Sequence, residues 1–199
     1  MASRTTWIIL FALAALQATL AAPATNRYQL QYEVTSELFQ LVTDALEELR
    51  NVFQLVIYEA ELILPPDSKG LILTELKDFV KVLDSLDLDD SLELDILEDA
   101  LDEMVNIIDI ADSKEFESEA DEVVVQLFIQ HGGEDLEQIL ERNLETTLKI
   151  IEQKVGDYMG TWSDSRLARN SELVKQFMDF KNEKDVYEKL DKLSNSDFI

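Results

Sequence analysis

Apolar residues recur at intervals of three and four along almost the whole chain, which is the spacing of one face of an α-helix. The rhythm is most regular in two stretches, which begin near Thr35 or Ser36 and near Glu134. In the first stretch it runs through Leu38, Val42, Ala45, Leu49, Val52, Val56 and Ile63. In the second it runs through Leu144, Leu148, Ile151, Val155, Tyr158 and Trp162. We therefore expect two long amphipathic helices.

The residues that break helices lie where a helix should begin or end. The Pro65–Pro66 pair ends the first predicted helix, and the Gly132–Gly133 pair ends another. Capping boxes at Asp90–Glu93 and Asp112–Glu115 predict two helix starts. The segment Val123–Ile129 is rich in β-branched residues, as strands are, but the helical spacing around it favours a helix.

Shorter amphipathic stretches predict the remaining helices. The apolar face of the stretch after Pro66 consists of Ile72, Leu76, Phe79, Val80 and Leu83. Further stretches cover about 165 to 181, and a tail that contains Val186, Tyr187, Leu190 and Leu193. The connections between these stretches are short, so neighbouring helices should pack antiparallel. The pattern predicts an all-α fold, a single-domain bundle of five to seven amphipathic helices.

The first 24 residues have the composition of a secretory signal peptide. Arg4 precedes an unbroken apolar run from Trp7 to Leu16, and small residues follow that fit cleavage after Ala21 or Ala24. A membrane span needs about 20 apolar residues, and Gln17 cuts this run short. We therefore expect a secreted, extracellular protein without a membrane span, whose bundle domain covers residues 25–199.

Charge is the compositional feature that says most about the partners of this protein. The chain has 42 acidic and 17 basic residues, a formal net charge of −25, and no cysteine. Residues 82–141 hold 21 acids and a single base, whereas residues 142–199 hold 11 acids and 10 bases. Such a field repels nucleic acid and attracts cations or basic protein surfaces. Solubility alone is the alternative explanation for the charge.

One acidic stretch resembles the loop of a calcium-binding EF-hand in the order of its oxygen donors. Loop positions 1, 3, 5, 7, 9 and 12 fall on Asp87, Asp89, Ser91, Glu93, Asp95 and Glu98. Position 6, where the sharp turn calls for glycine, is Leu92. An ordinary turn between helices explains the same residues, so calcium is a secondary hypothesis and no other cofactor is expected.

Enzymatic chemistry has little support in the residues. The absence of cysteine removes thiol catalysis and thiolate metal sites. His131 is the only histidine, so a two-histidine bundle metal site cannot form, and its place before a glycine pair suits a helix C-terminus. No nucleophile elbow and no glycine-rich phosphate loop occurs. We expect a protein that is not an enzyme.

Apolar residues suggest two further kinds of partner. Tyr158 and Trp162 end the second long rhythm and are candidate anchors for a partner, although burial in the core is the favoured explanation for both. The two long rhythms are also compatible with a homodimer, while packing within a monomer needs no partner.

The sequence leaves three functional hypotheses. The first is a secreted acidic binding protein that engages a basic macromolecular partner through its acidic surface. The second is a carrier of an apolar, lipid-like small molecule in the bundle core. The third is a low-affinity calcium-binding module.

Overall fold

A computed structural model of the protein describes residues 27–65, 70–85 and 118–197. These residues form seven helices and no strand, which confirms the predicted all-α bundle of five to seven helices. In chain order the helices are α1 (Arg27–Ile63), α2 (Leu71–Ser85), α3 (Glu119–Gln130), α4 (Gly133–Gly160), α5 (Asp164–Arg169), α6 (Ser171–Asn182) and α7 (Val186–Ser194). No helix in these ranges is long and apolar enough to cross a membrane.

The contacts within the chain divide it into two compact units. The described residues of the first, which we call the central unit, are 43–65, 70–85 and 118–140. The described residues of the second, which we call the terminal unit, are 27–42 and 141–197. The two long helices α1 and α4 each contribute residues to both units.

Besides the candidate calcium ligands, three of the sequence predictions fall on residues outside the described ranges. They are the signal-peptide boundary after Ala21 or Ala24 and the two capping boxes, Asp90–Glu93 and Asp112–Glu115. The helix expected to start at the second box begins at Glu119 instead, because Ser118 has an extended backbone and its hydroxyl caps the helix by accepting the N–H of Asp121. The predicted start was therefore too early, whereas the signal-peptide boundary and the first capping box stay predictions.

In the central unit, α1 and α2 pack antiparallel around aromatic side chains. Lys77 of α2 lies 2.7 Å from Glu61 near the end of α1. The ring of Phe53 meets Phe79 edge-on at 5.5 Å between centroids, and it contacts Phe128 of α3 at 5.9 Å. All five residues of the predicted apolar face of α2 are buried. Packing of aromatic and aliphatic side chains between the antiparallel helices α1 and α2, and against α3, therefore stabilises this unit.

A buried carboxylate ties α3 to the start of α2. Asp121 is 1% exposed, and its Oδ1 accepts the backbone N–H of Ile72 at 3.0 Å. Its other oxygen accepts the hydroxyl of Ser118 at 2.7 Å. The first N–H groups of a helix have no partner within the helix, so this side chain satisfies one of them from outside. A Cβ atom on Gly70 would stand 2.9 Å from Asp121 Oδ1, so glycine leaves room for this approach.

In the terminal unit, ion pairs surround a smaller apolar core. Lys154 lies 3.4 Å from both Glu33 and Glu37, and so connects α4 to the first turns of α1. Lys189 of α7 lies 2.7 Å from Glu152 of α4 and 5.0 Å from the centroid of the Phe180 ring. Lys189 is only 12% exposed, so solvent screens this pair less than it screens a surface pair.

The buried face of α1 departs from the predicted rhythm after Leu49. The residues buried on this face are Leu38, Val42, Ala45, Leu49, Phe53, Val56 and Ala60. Val52 is only half-buried and Ile63 is 59% exposed, so the prediction for these two positions was wrong. A strict heptad assumes 3.5 residues per turn, whereas a straight helix has 3.6 and drifts about 20° per heptad. In α4 the same drift buries Met159 in place of Tyr158.

We expect Asp121→Ala to lower the free energy of unfolding by about 2 kcal/mol, because the N–H of Ile72 would then be buried without an acceptor. Urea unfolding followed by circular dichroism measures this change. Gln126→Ala, at an exposed position of the same helix, is the control and should leave the free energy within about 0.5 kcal/mol. Equal effects of the two substitutions would show that the Asp121 contacts do not stabilise α2.

The contacts of Glu183 should make the stability of the protein depend on pH in the acidic range. The hydrogen bond from Lys192, with the backbone N–H groups of Asp185 and Lys184, lowers the pKa of Glu183 from 4.5 to about 2. Since the folded-state pKa is depressed, the stabilisation by Glu183 is complete above pH 4.5 and is lost as the pH falls from 4.5 to about 2. In an NMR titration, Lys192→Gln should move the pKa of Glu183 upward, but not fully to 4.5 because the backbone donors remain.

The matched control for this titration is Lys184→Gln, which removes a neighbouring charge but keeps the backbone N–H group. It should leave the pKa of Glu183 low. A Glu183 pKa near 4.5 in the unsubstituted protein would contradict the described contacts.

Candidate partner-binding surface

The six candidate calcium ligands, Asp87, Asp89, Ser91, Glu93, Asp95 and Glu98, lie outside the described residues. Within residues 27–65, 70–85 and 118–197, no three His, Cys, Asp or Glu side chains are grouped closely enough to hold a metal ion. The calcium hypothesis therefore stays a prediction from the sequence.

The candidate aromatic anchors, Tyr158 and Trp162, lie together at the end of α4. Their rings meet edge-on at 5.6 Å between centroids, and Trp162 is 9% exposed. The guanidinium of Arg166, on α5, lies 4.4 Å from the centroid of the Trp162 ring and donates a hydrogen bond to the Tyr158 hydroxyl at 3.1 Å. The two rings are thus in contact with a cation of their own chain, and their role as an anchor for a partner stays a prediction.

The only histidine lies at a helix C-terminus, as the sequence suggested. The backbone N–H of His131 donates to the carbonyl of Leu127 at 2.9 Å and so caps α3. Its imidazole Nε2 lies 3.3 Å from a carboxylate oxygen of Glu59 on α1. Gly132 follows with a φ of 86°, a left-handed conformation that glycine adopts without strain and that turns the chain into α4. Packing and chain reversal account for this histidine.

An exposed apolar stripe runs along the outer side of α1 in the central unit. It consists of Leu55, Tyr58 and Leu62, which are 50%, 63% and 68% exposed. Their spacing of three and four residues places them on one line of the helix surface. We call these three residues the α1 stripe. Contiguous exposed apolar side chains of this kind are typical of interaction surfaces.

The α1 stripe lies almost opposite the buried face of the same helix segment. Each of its residues is two positions from one of Phe53, Val56 and Ala60, and two positions correspond to a rotation of about 200°. Those three side chains are at most 1% exposed. This part of α1 is therefore firmly packed through one side, and the α1 stripe faces solvent within the part of the chain that the structure describes.

Acidic side chains dominate the surface of the central unit. By sequence, its described residues include 14 acids and three bases. The exposed acids are Asp44, Glu47, Glu48, Glu61, Asp78, Asp84, Glu119, Glu122 and Asp135. Two of the bases are held by acids of the same unit, Arg50 by Asp84 and Lys77 by Glu61. Three bases cannot neutralise 14 acids, so this surface carries a strong negative potential.

The terminal unit has a different charge balance. Its described residues include 14 acids and 11 bases. Several of the bases lie against acids of the same unit, and the contact of Lys149 with Glu145, at 2.7 Å, lowers the pKa of that carboxyl. The further pairs in this unit are Lys154 with Glu33 and Glu37, Lys181 and Lys189 with Glu152, and Lys192 with Glu183. The negative potential is thus concentrated in the central unit.

Sequence reasoning missed the α1 stripe. The heptad rhythm predicted which positions of α1 are buried. It did not include Leu55, Tyr58 and Leu62, so their exposed apolar line was overlooked. A signal was present in the sequence: these residues form a second apolar line, spaced three and four apart, which a helix buried on one side does not require.

Comparison with known protein families, with characterised proteins and with solved structures finds no match to this chain.

We expect the contact between Arg166 and the two rings to protect the indole of Trp162. Once the predicted leader is removed, Trp162 is the only tryptophan, and in that processed chain Arg166→Ala should increase quenching of its fluorescence by acrylamide and cost about 1 kcal/mol of stability. Arg169→Ala, one turn further on the exposed side of α5, is the control. If both substitutions leave the quenching unchanged, the cation does not cover the ring.

Proposed function

We propose that this chain is a secreted, non-enzymatic binding protein that engages a cationic macromolecular partner through the acidic surface of its central unit. The observation that carries the proposal is the separation of charge: 14 acids against three bases in the described residues of the central unit, and 14 against 11 in those of the terminal unit. Solubility requires net charge, but it does not require that the charge be concentrated in one part of the molecule.

The contacts in each unit support this proposal. In the terminal unit, Lys154, Lys189 and Lys192 lie against acids of the same unit. In the central unit, the three described bases are too few to pair with the 14 acids. A field of this kind accelerates the approach of a basic protein and excludes nucleic acid.

The secreted location rests on the residues of the leader. Arg4, the apolar run from Trp7 to Leu16 and the small residues up to Ala24 match the three parts of a signal peptide. The carrier hypothesis and the calcium hypothesis have no comparable support in the described contacts, and they stay as predicted from the sequence.

The proposal is tested with an oligolysine peptide as a defined cationic probe. Replacing Glu47, Glu48 and Asp78 by Gln, Gln and Asn removes three exposed charges from the central unit. At about 0.5 kcal/mol for each exposed charge, affinity should fall about tenfold, as measured by calorimetry at low salt. Binding should also vanish near 1 M NaCl, where the screening length is about 3 Å.

The matched control removes three exposed charges from the terminal unit, through Glu172→Gln, Glu188→Gln and Asp157→Asn. It changes the net charge equally and should weaken binding much less. Equal losses in the two variants would show that the peptide responds only to total charge. Binding that persists in 1 M NaCl would also contradict the proposal.

A further inference from the structure

We infer that the α1 stripe is a docking surface for a cationic amphipathic helix, which inserts its apolar side chains over Leu55, Tyr58 and Leu62 and directs its basic side chains to the surrounding acids. This inference rests on the proposed function, because it names the surface and the chemistry of the partner. It combines two independent observations, the exposure of the stripe and the charge of the unit that carries it.

The size of the α1 stripe fits a helical partner. Leu55 and Leu62 are seven residues apart, which is roughly 10 Å along the helix axis. A helix that docks in this way presents anchors at positions i, i+3 or i+4 and i+7, which cover the same length. Tyr58, at the centre of the stripe and 63% exposed, offers a large ring and a hydroxyl for such a contact.

Charge surrounds the α1 stripe on its exposed side. Glu61 lies between Tyr58 and Leu62 in sequence, and it is 57% exposed although it pairs with Lys77. Toward the N-terminus, Asp44, Glu47 and Glu48 extend the exposed side of α1 by about three turns. A partner that covers the apolar residues therefore meets carboxylates next to them. Basic residues beside an apolar face are the complement of this arrangement.

Other occupants fit the charge poorly. A second copy of this chain would bring the same acids to the same surface, since a symmetric dimer places identical patches together. Segment 86–117 of the chain itself carries 13 acids and one base, so it has the wrong sign as well. An anionic membrane surface is repelled for the same reason. The cationic amphipathic helix is the occupant that satisfies both the apolar and the charged part of the surface.

The test uses the full chain and three synthetic peptides of about 18 residues, roughly five helical turns. The first is a Leu/Lys peptide with all leucines on one face, the second has the same composition in scrambled order, and the third is oligolysine of equal charge. The patterned peptide should bind at least about tenfold more tightly than the scrambled one, which corresponds to about 1.4 kcal/mol.

Substitutions locate the binding. The stripe variant combines Leu55→Gln, Tyr58→Gln and Leu62→Gln. It should bind the patterned and the scrambled peptide equally, so that the affinity advantage of the patterned peptide is lost, and it should bind oligolysine as the unsubstituted protein does. Glutamine is a good helix former, so α1 should stay intact. The matched control replaces three exposed apolar residues of the terminal unit, through Tyr28→Gln, Tyr32→Gln and Met178→Gln, and it should keep the advantage.

The outcomes are separable. If oligolysine does not bind the unsubstituted protein, the proposed function fails. If it binds but the patterned and scrambled peptides are equal, or if the stripe variant keeps the advantage, the docking inference alone is wrong. A stripe variant that unfolds at much lower urea concentration would show that the chain covers the stripe itself, and this overturns the inference too.

Two further controls address the remaining occupants. Sedimentation that shows a dimer of the unsubstituted protein, dissociated in the stripe variant, would assign the surface to self-association. Binding to neutral phosphatidylcholine vesicles that the stripe variant loses would assign it to a lipid surface. Each of these results would overturn the inference, and we expect neither.

Discussion

The structure depends on the way a straight α-helix distributes its side chains around its axis. Once Phe53, Val56 and Ala60 are buried, with Phe53 packed against Phe79 of α2 and Phe128 of α3, the positions two residues away are turned about 200° to the outside. A rotation of α1 about its axis that buried Leu55, Tyr58 and Leu62 would expose Phe53 and Val56. Exposure of each side chain of this size removes about 2 kcal/mol of stabilising free energy. The central unit therefore keeps the α1 stripe at its surface.

Charge and apolar exposure coincide in the central unit. In the terminal unit, lysines of α4, α6 and α7 lie against the carboxylates of Glu33, Glu37, Glu152 and Glu183, so its acids are largely matched by its bases. In the central unit the acids have few counter-ions, and the α1 stripe lies among them. The shared location connects two features that would each be unremarkable alone, and it points to a partner that is both apolar and basic.

The sequence predicted the helical class, the end of α3 at the Gly132–Gly133 pair and five of the six buried residues of α2, because spacing and helix-breaking residues are local signals. It placed Val52 and Ile63 in the core because it read a 3.5-residue period, whereas α1 follows the 3.6-residue period of a straight helix. The tie from Asp121 to Ile72 joins residues 49 positions apart, and no local pattern encodes such a contact. The α1 stripe was visible only once the buried face was known.

Hydroxyl-radical footprinting of the intact protein tests the central claim most directly, because it measures the solvent exposure of individual side chains along α1. We expect fast oxidation of Tyr58 and Leu62 and slow oxidation of Phe53 and Val56, although the four residues lie within three turns of one helix. Equal protection of Tyr58 and Phe53 would contradict it, since α1 would then be covered on both sides and no docking surface would be left.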